Sequence, residues 1–143
     1  MKLVTWNVNS LKVRLPQVFQ WLEMNPVDVL CIQETKLTDD KFPQAEIEAA
    51  GYHVVFTGQK TYNGVAIISR HPMTDVQKNN PLFEDEQQRI IAATIEGMRI
   101  ICAYVPNGQA LDSEKYPYKL SWLAALRDWV QAEMQTYPEL ALL

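Results

Sequence analysis

Three polar clusters that could carry out phosphate chemistry each follow an apolar, strand-like segment. Asn7 follows the first segment, Glu34 and Lys36 follow the second, and Tyr104 stands at the end of a later one. If these strands are neighbours in one sheet, their carboxyl ends converge, and ligand sites of open α/β sheets form at that edge. A carboxylate, a carboxamide and a phenol there could hold a hard cation and an anionic oxygen, because Mg²⁺ takes one or two carboxylates plus substrate phosphate.

Each of these residues also has an ordinary structural explanation. Asn7 suits a turn or a helix cap. Glu34 could be a solvated carboxylate paired with Lys36, and Tyr104 could be a core tyrosine with a wet hydroxyl. Asn63 precedes Gly64, a pair used most often in hairpin turns. The residues alone therefore leave a metal and phosphate site and a purely structural role both open.

The elements that must position these residues follow from apolar periodicity. Strands at Lys2 to Trp6 and Val27 to Ile32, joined by a helix over Leu15 to Met24, predict a crossover unit with parallel strands. Further strands are predicted at 53–57, 65–70, 89–95 and 98–105, and further helices at 44–50 and 117–137. Glu96 and Gly97 predict a tight antiparallel hairpin. Mixed pairing with helices outside indicates an α+β fold, in which sheets pack face to face under helical layers.

The last predicted helix carries an apolar stripe, expected to be its buried face. The stripe comprises Leu120, Leu123, Leu126, Val130 and Met134. After this helix, the apolar run from Leu140 predicts the beginning of another strand, cut short at Leu143.

Composition narrows the class of protein but does not favour DNA. The 143 residues are 48% hydrophobic and 21% charged, which is ordinary globular usage. No apolar run approaches the ~20 residues that span a bilayer, and the first residues turn polar too early for a signal peptide, so a cytoplasmic protein without a membrane partner is expected. The net charge of −4 argues against nucleic acid as a partner, although a locally basic face would suffice. Cys31 and Cys102 lie in apolar runs and are expected to be buried thiols.

Five segments in order carry a resemblance to a known family. They are Trp6 to Leu11, Gln33 to Lys36, Tyr62 to Ile67, Gln88 to Ile91, and Tyr104 to Gly108. Together they resemble the exonuclease III family, the bacterial relatives of the apurinic/apyrimidinic endonucleases in the endonuclease/exonuclease/phosphatase superfamily. The resemblance runs from Met1 to Leu143 and implies a metal-dependent DNA repair nuclease.

The resemblance implies a role for each residue of the polar clusters. Glu34 is similar to the family's metal-ligating carboxylate, and Asn7 to the amide that supports the metal and the scissile phosphate. Lys36 resembles a lysine that keeps this glutamate ionised and oriented, and Tyr104 the tyrosine that touches the attacked phosphate. The implied cofactor is Mg²⁺, with Mn²⁺ as a substitute.

The same resemblance implies the residues that hold the substrate. Three residues resemble those with which the family contacts the DNA backbone, namely Tyr62, Asn63 and Asn107. Arg89 resembles a residue that contacts a phosphate or supports the structure. The implied partner is duplex DNA with abasic sites or 3′ ends, hydrolysed by water at a phosphodiester. A monomer is expected for the full-length protein.

The resemblance also implies that residues 1–143 form the N-terminal half of a single domain, a four-layer α/β/β/α sandwich. The second sheet, and a Gly-Asp-x-Asn turn whose aspartate activates water, are expected beyond Leu143. The isolated polypeptide is therefore expected to be inactive. Two alternatives stay open: another phosphoesterase of the superfamily, acting on inositol phosphates, sphingomyelin or DNA without specificity, and a non-catalytic half-domain that binds DNA or a partner.

Overall fold

The computed structural model describes all of residues 1–143, in which eight strands and three α-helices follow one another along the chain. Their bounds are β1 Leu3–Asn7, α1 Leu11–Met24, β2 Val29–Gln33, α2 Gln44–Ala49, β3 His53–Thr57, β4 Val65–Ser69, β5 Thr74–Lys78, β6 Ile90–Ile95, β7 Met98–Ala103, α3 Lys115–Thr136 and β8 Leu140–Leu142. The predicted elements are confirmed to within a few residues. The exception is β5, which sequence analysis missed because its residues are mostly polar.

The strands form two four-stranded mixed sheets. In the first sheet, ordered β1-β2-β4-β3, β1 and β2 are parallel, as the crossover through α1 requires, and the other pairs are antiparallel. In the second sheet, ordered β5-β6-β7-β8, β6 and β7 are antiparallel and β8 runs parallel to β7. Glu96 and Gly97 join β6 to β7 with φ of 51° and 80°, the positive pair that a two-residue hairpin turn needs.

Three apolar interfaces hold the layers together. Alternate residues of β2 and β4 face opposite ways, so Leu30 and Ile68 pack under α1 while Cys31 and Ile67 face the second sheet. The outer face of the second sheet is covered by α3. Burying a leucine or isoleucine stabilises the fold by about 1.5–3 kcal/mol relative to exposure. The order is therefore helix, sheet, sheet, helix, which confirms the predicted fold class.

Two expectations about the sheets were wrong. A second sheet lies within residues 1–143 and covers the inner face of the first, so it does not depend on chain beyond Leu143. In addition, Tyr104 follows β7 of the second sheet, whereas Asn7 ends β1 and Glu34 follows β2 in the first sheet. The three polar clusters therefore meet across the gap between two sheets, not along the edge of one.

The buried face of α3 also differs from the apolar stripe. Leu126 is buried as expected and Val130 is partly buried beside it, but the other buried residues are Trp122 and Trp129. The remaining residues of the stripe are exposed, namely Leu120, Leu123 and Met134. The wide indole rings fill the space above β6 and β7, and this outweighs the larger number of smaller apolar residues on the other face. None of the helices is both long and apolar enough to cross a membrane.

Candidate active site

The loop after β2 holds Glu34 in a fixed, strained conformation. Glu34 and Lys36 both adopt positive φ, at 59° and 57°, which costs a residue with a side chain about 1–3 kcal/mol and recurs at functional sites. Backbone hydrogen bonds hold the loop from both sides: Ser10 N–H donates to Glu34 O at 2.8 Å, and Lys36 N–H donates to Asn63 O at 2.9 Å. Thr35 between them is 1% exposed, so the loop is anchored in the core.

Glu34 and Tyr104 meet across the two sheets. The Tyr104 hydroxyl donates a hydrogen bond to Glu34 Oε1, and Lys36 Nζ lies 3.7 Å from Glu34 Oε2. The pKa of Tyr104 is raised, first by burial of the phenol and then by its hydrogen bond to Glu34 and the negative charge of that carboxylate. The positive charge of Arg89 opposes this rise only in part. Tyr104 therefore keeps its proton at neutral pH and acts as a hydrogen-bond donor.

Arg89 fixes the position of Tyr104. Its guanidinium carbon lies 4.9 Å from the centre of the Tyr104 ring, and its Nη1 donates to Tyr104 O at 3.2 Å. Its Nε donates to Gln87 Oε1 at 2.8 Å. The Tyr104 N–H donates to Arg89 O at 2.8 Å. This places a positive charge beside the phenol that faces Glu34.

A cleft of about 440 Å³ opens over this pair. It is lined by Glu34, Lys36, Gln59, Tyr62, Asn63, Gln87, Arg89, Tyr104, Pro106, Asn107, Lys115 and Tyr118. Every predicted site residue except Asn7 is in this lining. Three cationic side chains stand against one carboxylate, so the cleft is locally basic although the chain carries a net charge of −4.

Asn7 lies beside the cleft and not in its wall. It is exposed at the end of β1, paired in register with Gln33, and its Oδ1 accepts the Asn9 N–H at 3.1 Å. Lys36 Nζ in turn donates to Asn9 Oδ1 at 2.7 Å. Asn7 is thus connected to Glu34 through Asn9 and Lys36, and any contact with a metal or phosphate would be made from the rim.

Sequence analysis missed four polar residues of the cleft. Gln59 and Gln87 are held by hydrogen bonds to neighbours that the prediction did include, Asn63 and Arg89. Lys115 and Tyr118 come from the first turn of α3. The polar pair Gly58-Gln59 directly after β3 was an available signal, because strand ends form this edge. Helical periodicity gave no signal for α3, since it does not tell which end of a helix faces a site.

The sequence of the whole chain matches one family profile. The profile describes the endonuclease/exonuclease/phosphatase family and matches residues 4–139. The chain belongs to the endonuclease/exonuclease/phosphatase family. Within this family it is 34% identical over 139 residues to exodeoxyribonuclease III of Haemophilus influenzae, an alignment that covers 93% of the chain and 52% of that protein. The chain thus spans about half the length of the curated relatives it matches.

Solved structures of this family are closely similar. The 3′ phosphatase NExo from Neisseria, determined with a bound product DNA hairpin, is 54% identical with a TM-score of 0.97, covering 99% of this chain and 56% of that one. An AP endonuclease from Archaeoglobus fulgidus is 46% identical with a TM-score of 0.86, covering 90% and 51%. The resemblance drawn from the five segments is thereby confirmed, and all of them except Trp6 to Leu11 contribute residues to the wall of the cleft.

Proposed function

We propose that this protein is a DNA repair nuclease of the exodeoxyribonuclease III type, which hydrolyses phosphodiesters at abasic sites and 3′ ends of duplex DNA. The observation that carries the proposal is the contact between Glu34 and Tyr104, made across the two sheets inside a basic cleft. The names of its relatives, an exodeoxyribonuclease III, a 3′ phosphatase and an AP endonuclease, support DNA as the substrate. A cytoplasmic, monomeric full-length protein stays a prediction.

The residues of the cleft fit a divalent cation such as Mg²⁺ or Mn²⁺. Glu34 offers a carboxylate in which each oxygen has one neighbour, the Tyr104 hydroxyl or Lys36 Nζ, and each oxygen has a further lone pair for a metal. Mg²⁺ accepts one protein carboxylate together with water and substrate phosphate. Glu34 would hold the ion, and the family resemblance implies that Asn7, whose Oδ1 accepts the Asn9 N–H, would support it with its amide oxygen. When bound, the ion stabilises negative charge on the phosphate and on the leaving oxygen.

The other side chains prepare the phosphate for attack. Lys36 helps to orient the Glu34 carboxylate, because its Nζ lies 3.7 Å from Glu34 Oε2 and is itself held by Asn9 Oδ1. The Tyr104 hydroxyl, kept protonated by its raised pKa, has a single proton to donate, so it would exchange its hydrogen bond to Glu34 for one to a phosphate oxygen as negative charge grows there. Asn63, Asn107, Tyr62 and Arg89 would grip the backbone of the DNA. Such contacts position the duplex without reading its sequence.

We further propose that the isolated polypeptide 1–143 does not catalyse the reaction. Hydrolysis needs a group that accepts a proton from water, and the cleft contains one carboxylate, Glu34, and no histidine. Tyr104 is unsuited to this task because its pKa is raised. Members of a catalytic unit act together, so the loss of one removes most of the rate.

One cleavage experiment tests these proposals together. Full-length protein and the polypeptide 1–143 are incubated with Mg²⁺ and labelled duplexes carrying an abasic site, a recessed 3′ end, or a 3′ phosphate. The full-length protein should cleave, and Glu34→Ala should lose about 10²–10³-fold in rate, a scale typical of a lost charge-stabilising group. Glu23→Ala, on the exposed face of α1, should be unchanged.

Each proposal has an outcome that contradicts it. Cleavage by the polypeptide 1–143 that Glu34→Ala abolishes would overturn its inactivity. A full-length protein that removes only the 3′ phosphate would identify the alternative phosphoesterase, which the name of the Neisseria relative favours. A full-length protein that binds every duplex and changes none would be a non-catalytic DNA-binding protein.

A further inference from the structure

Gln59 is a cleft residue to which no role has so far been assigned. It lies two residues after the end of β3, is partly buried, and lines the cleft near Asn63. Its side-chain oxygen Oε1 accepts two hydrogen bonds, from the backbone N–H of Gln88 at 2.8 Å and from Asn63 Nδ2 at 3.1 Å. Gln59 therefore ties the loop of the first sheet to the strand start of the second sheet.

These bonds determine which way the amide of Gln59 points. The backbone N–H of Gln88 can only donate, so the atom facing it must be Oε1, and the Nε2 amino group lies on the opposite branch. Nε2 donates to no protein acceptor, and the buried side-chain atoms without a partner are Thr38 Oγ1 and Asn79 Oδ1. The amino group of Gln59 is consequently in contact with the solvent of the cleft.

The surroundings of this amino group favour an anion. The cleft also contains Lys36, Arg89 and Lys115, while its single carboxylate, Glu34, already accepts from Tyr104. An amide whose oxygen is held by two bonds loses little conformational freedom when its nitrogen binds a ligand, which is the condition for an efficient donor. Glutamine is among the side chains that donate to DNA phosphates.

We propose that Gln59 binds a DNA backbone phosphate through Nε2, and that Gln88 and Asn63 hold it in the orientation to do so. The proposal rests on the proposed DNA substrate and extends it to a specific contact. Because a phosphate oxygen carries no sequence information, the contribution of Gln59 is the same for every base sequence at the bound end.

Two substitutions separate this donor role from a structural one. Gln59→Glu keeps an oxygen that accepts from Gln88 and Asn63 but replaces the amino group with a second acceptor. Gln59→Met removes both the side-chain oxygen and the amino group. Gln17→Glu on the exposed face of α1 makes the same change of charge away from the cleft. Dissociation constants are measured by fluorescence anisotropy with the full-length protein, a labelled duplex with a recessed 3′ end, and EDTA to prevent turnover.

Both Gln59 variants should bind DNA about 10-fold more weakly, since a hydrogen bond to a charged group contributes about that factor. The loss should persist as salt is raised, because a purely Coulombic effect of the new carboxylate is screened. It should be equal for A·T-rich and G·C-rich ends, and Gln59→Glu should keep the wild-type melting temperature.

Wild-type affinity in Gln59→Glu at high salt would overturn the proposal and leave Gln59 with a structural role only. A loss confined to one base sequence would also overturn it, in favour of a contact to a base edge. Failure of the wild-type protein to bind or cleave any of the duplexes would instead refute the proposed function.

Discussion

Gly64→Ala should destabilise the protein about twice as much as the same change at Gly51, a glycine of nearly identical φ. Gly64 has φ of +92° and Gly51, after α2, has φ of +97°. A Cβ at Gly64 would lie 2.1 Å from Thr35 Oγ1, whereas a Cβ at Gly51 meets nothing within 4 Å. The two substitutions share the backbone strain and differ in the steric clash.

The magnitudes follow from these two contributions. Strain at positive φ costs about 1–2 kcal/mol for a residue with a Cβ, which is the whole effect at Gly51. The clash at Gly64 falls on Thr35, which is buried and cannot move freely, and overpacking of this kind adds about 1–3 kcal/mol. At roughly 3 °C per kcal/mol for a chain of this size, we expect the melting temperature to fall by about 10 °C for Gly64→Ala and by about 5 °C for Gly51→Ala.

Thermal unfolding followed by circular dichroism measures both variants. Thr35→Ala added to Gly64→Ala removes the atom that clashes, so the double variant should be more stable than the sum of the two single losses, by about 1–2 kcal/mol. Equal losses for the two glycine variants, or strict additivity in the double variant, would refute the argument that the clash beneath the Glu34 loop makes glycine necessary.

Three further outcomes are expected. The side-chain hydrogen bond from His71, and next the hydrogen bond from the Lys2 backbone N–H, lower the pKa of the Asp28 carboxyl. The contribution of Asp28 to the stability of the fold is therefore present above its unfolded-state pKa of about 3.9 and is lost as pH falls through the lower folded-state pKa. Asp28→Asn should therefore lower the melting temperature at pH 7 and make no difference near pH 2; an equal effect at both would contradict this. Arg99 is 3% exposed and its Nε lies 2.6 Å from Glu133 Oε2. Arg99→Met should therefore lower the free energy of unfolding, measured in urea, by about 3 kcal/mol, because it leaves the Glu133 carboxylate unpaired. An unchanged urea midpoint would contradict this. The phenol of Tyr104 should ionise above pH 10 in a spectrophotometric titration compared with Tyr104→Phe. Ionisation at or below pH 10 would contradict the burial of the phenol and its hydrogen bond to Glu34.

Local features of the chain were predicted correctly because they depend on neighbours in sequence. The hairpin at Glu96 and Gly97 follows from the positive φ that this turn demands. The parallel pairing of β1 and β2 follows from a helix of suitable length between them. In contrast, β5 was missed since an exposed edge strand needs no apolar pattern, and its strand geometry comes from pairing with β6.

The sequence by itself determined the order of the elements apart from β5, and it determined the family. Of the eight residues that it predicted for the site, seven line the cleft. Those residues are recognisable because each follows a strand in a short motif. Only the tertiary structure decided that Tyr104 reaches Glu34 from a second sheet, that two tryptophans share the buried face of α3 with Leu126, and that the amide of Gln59 faces the cleft. These facts depend on how two sheets pack and on hydrogen bonds between residues distant in sequence, which periodicity and spacing do not encode.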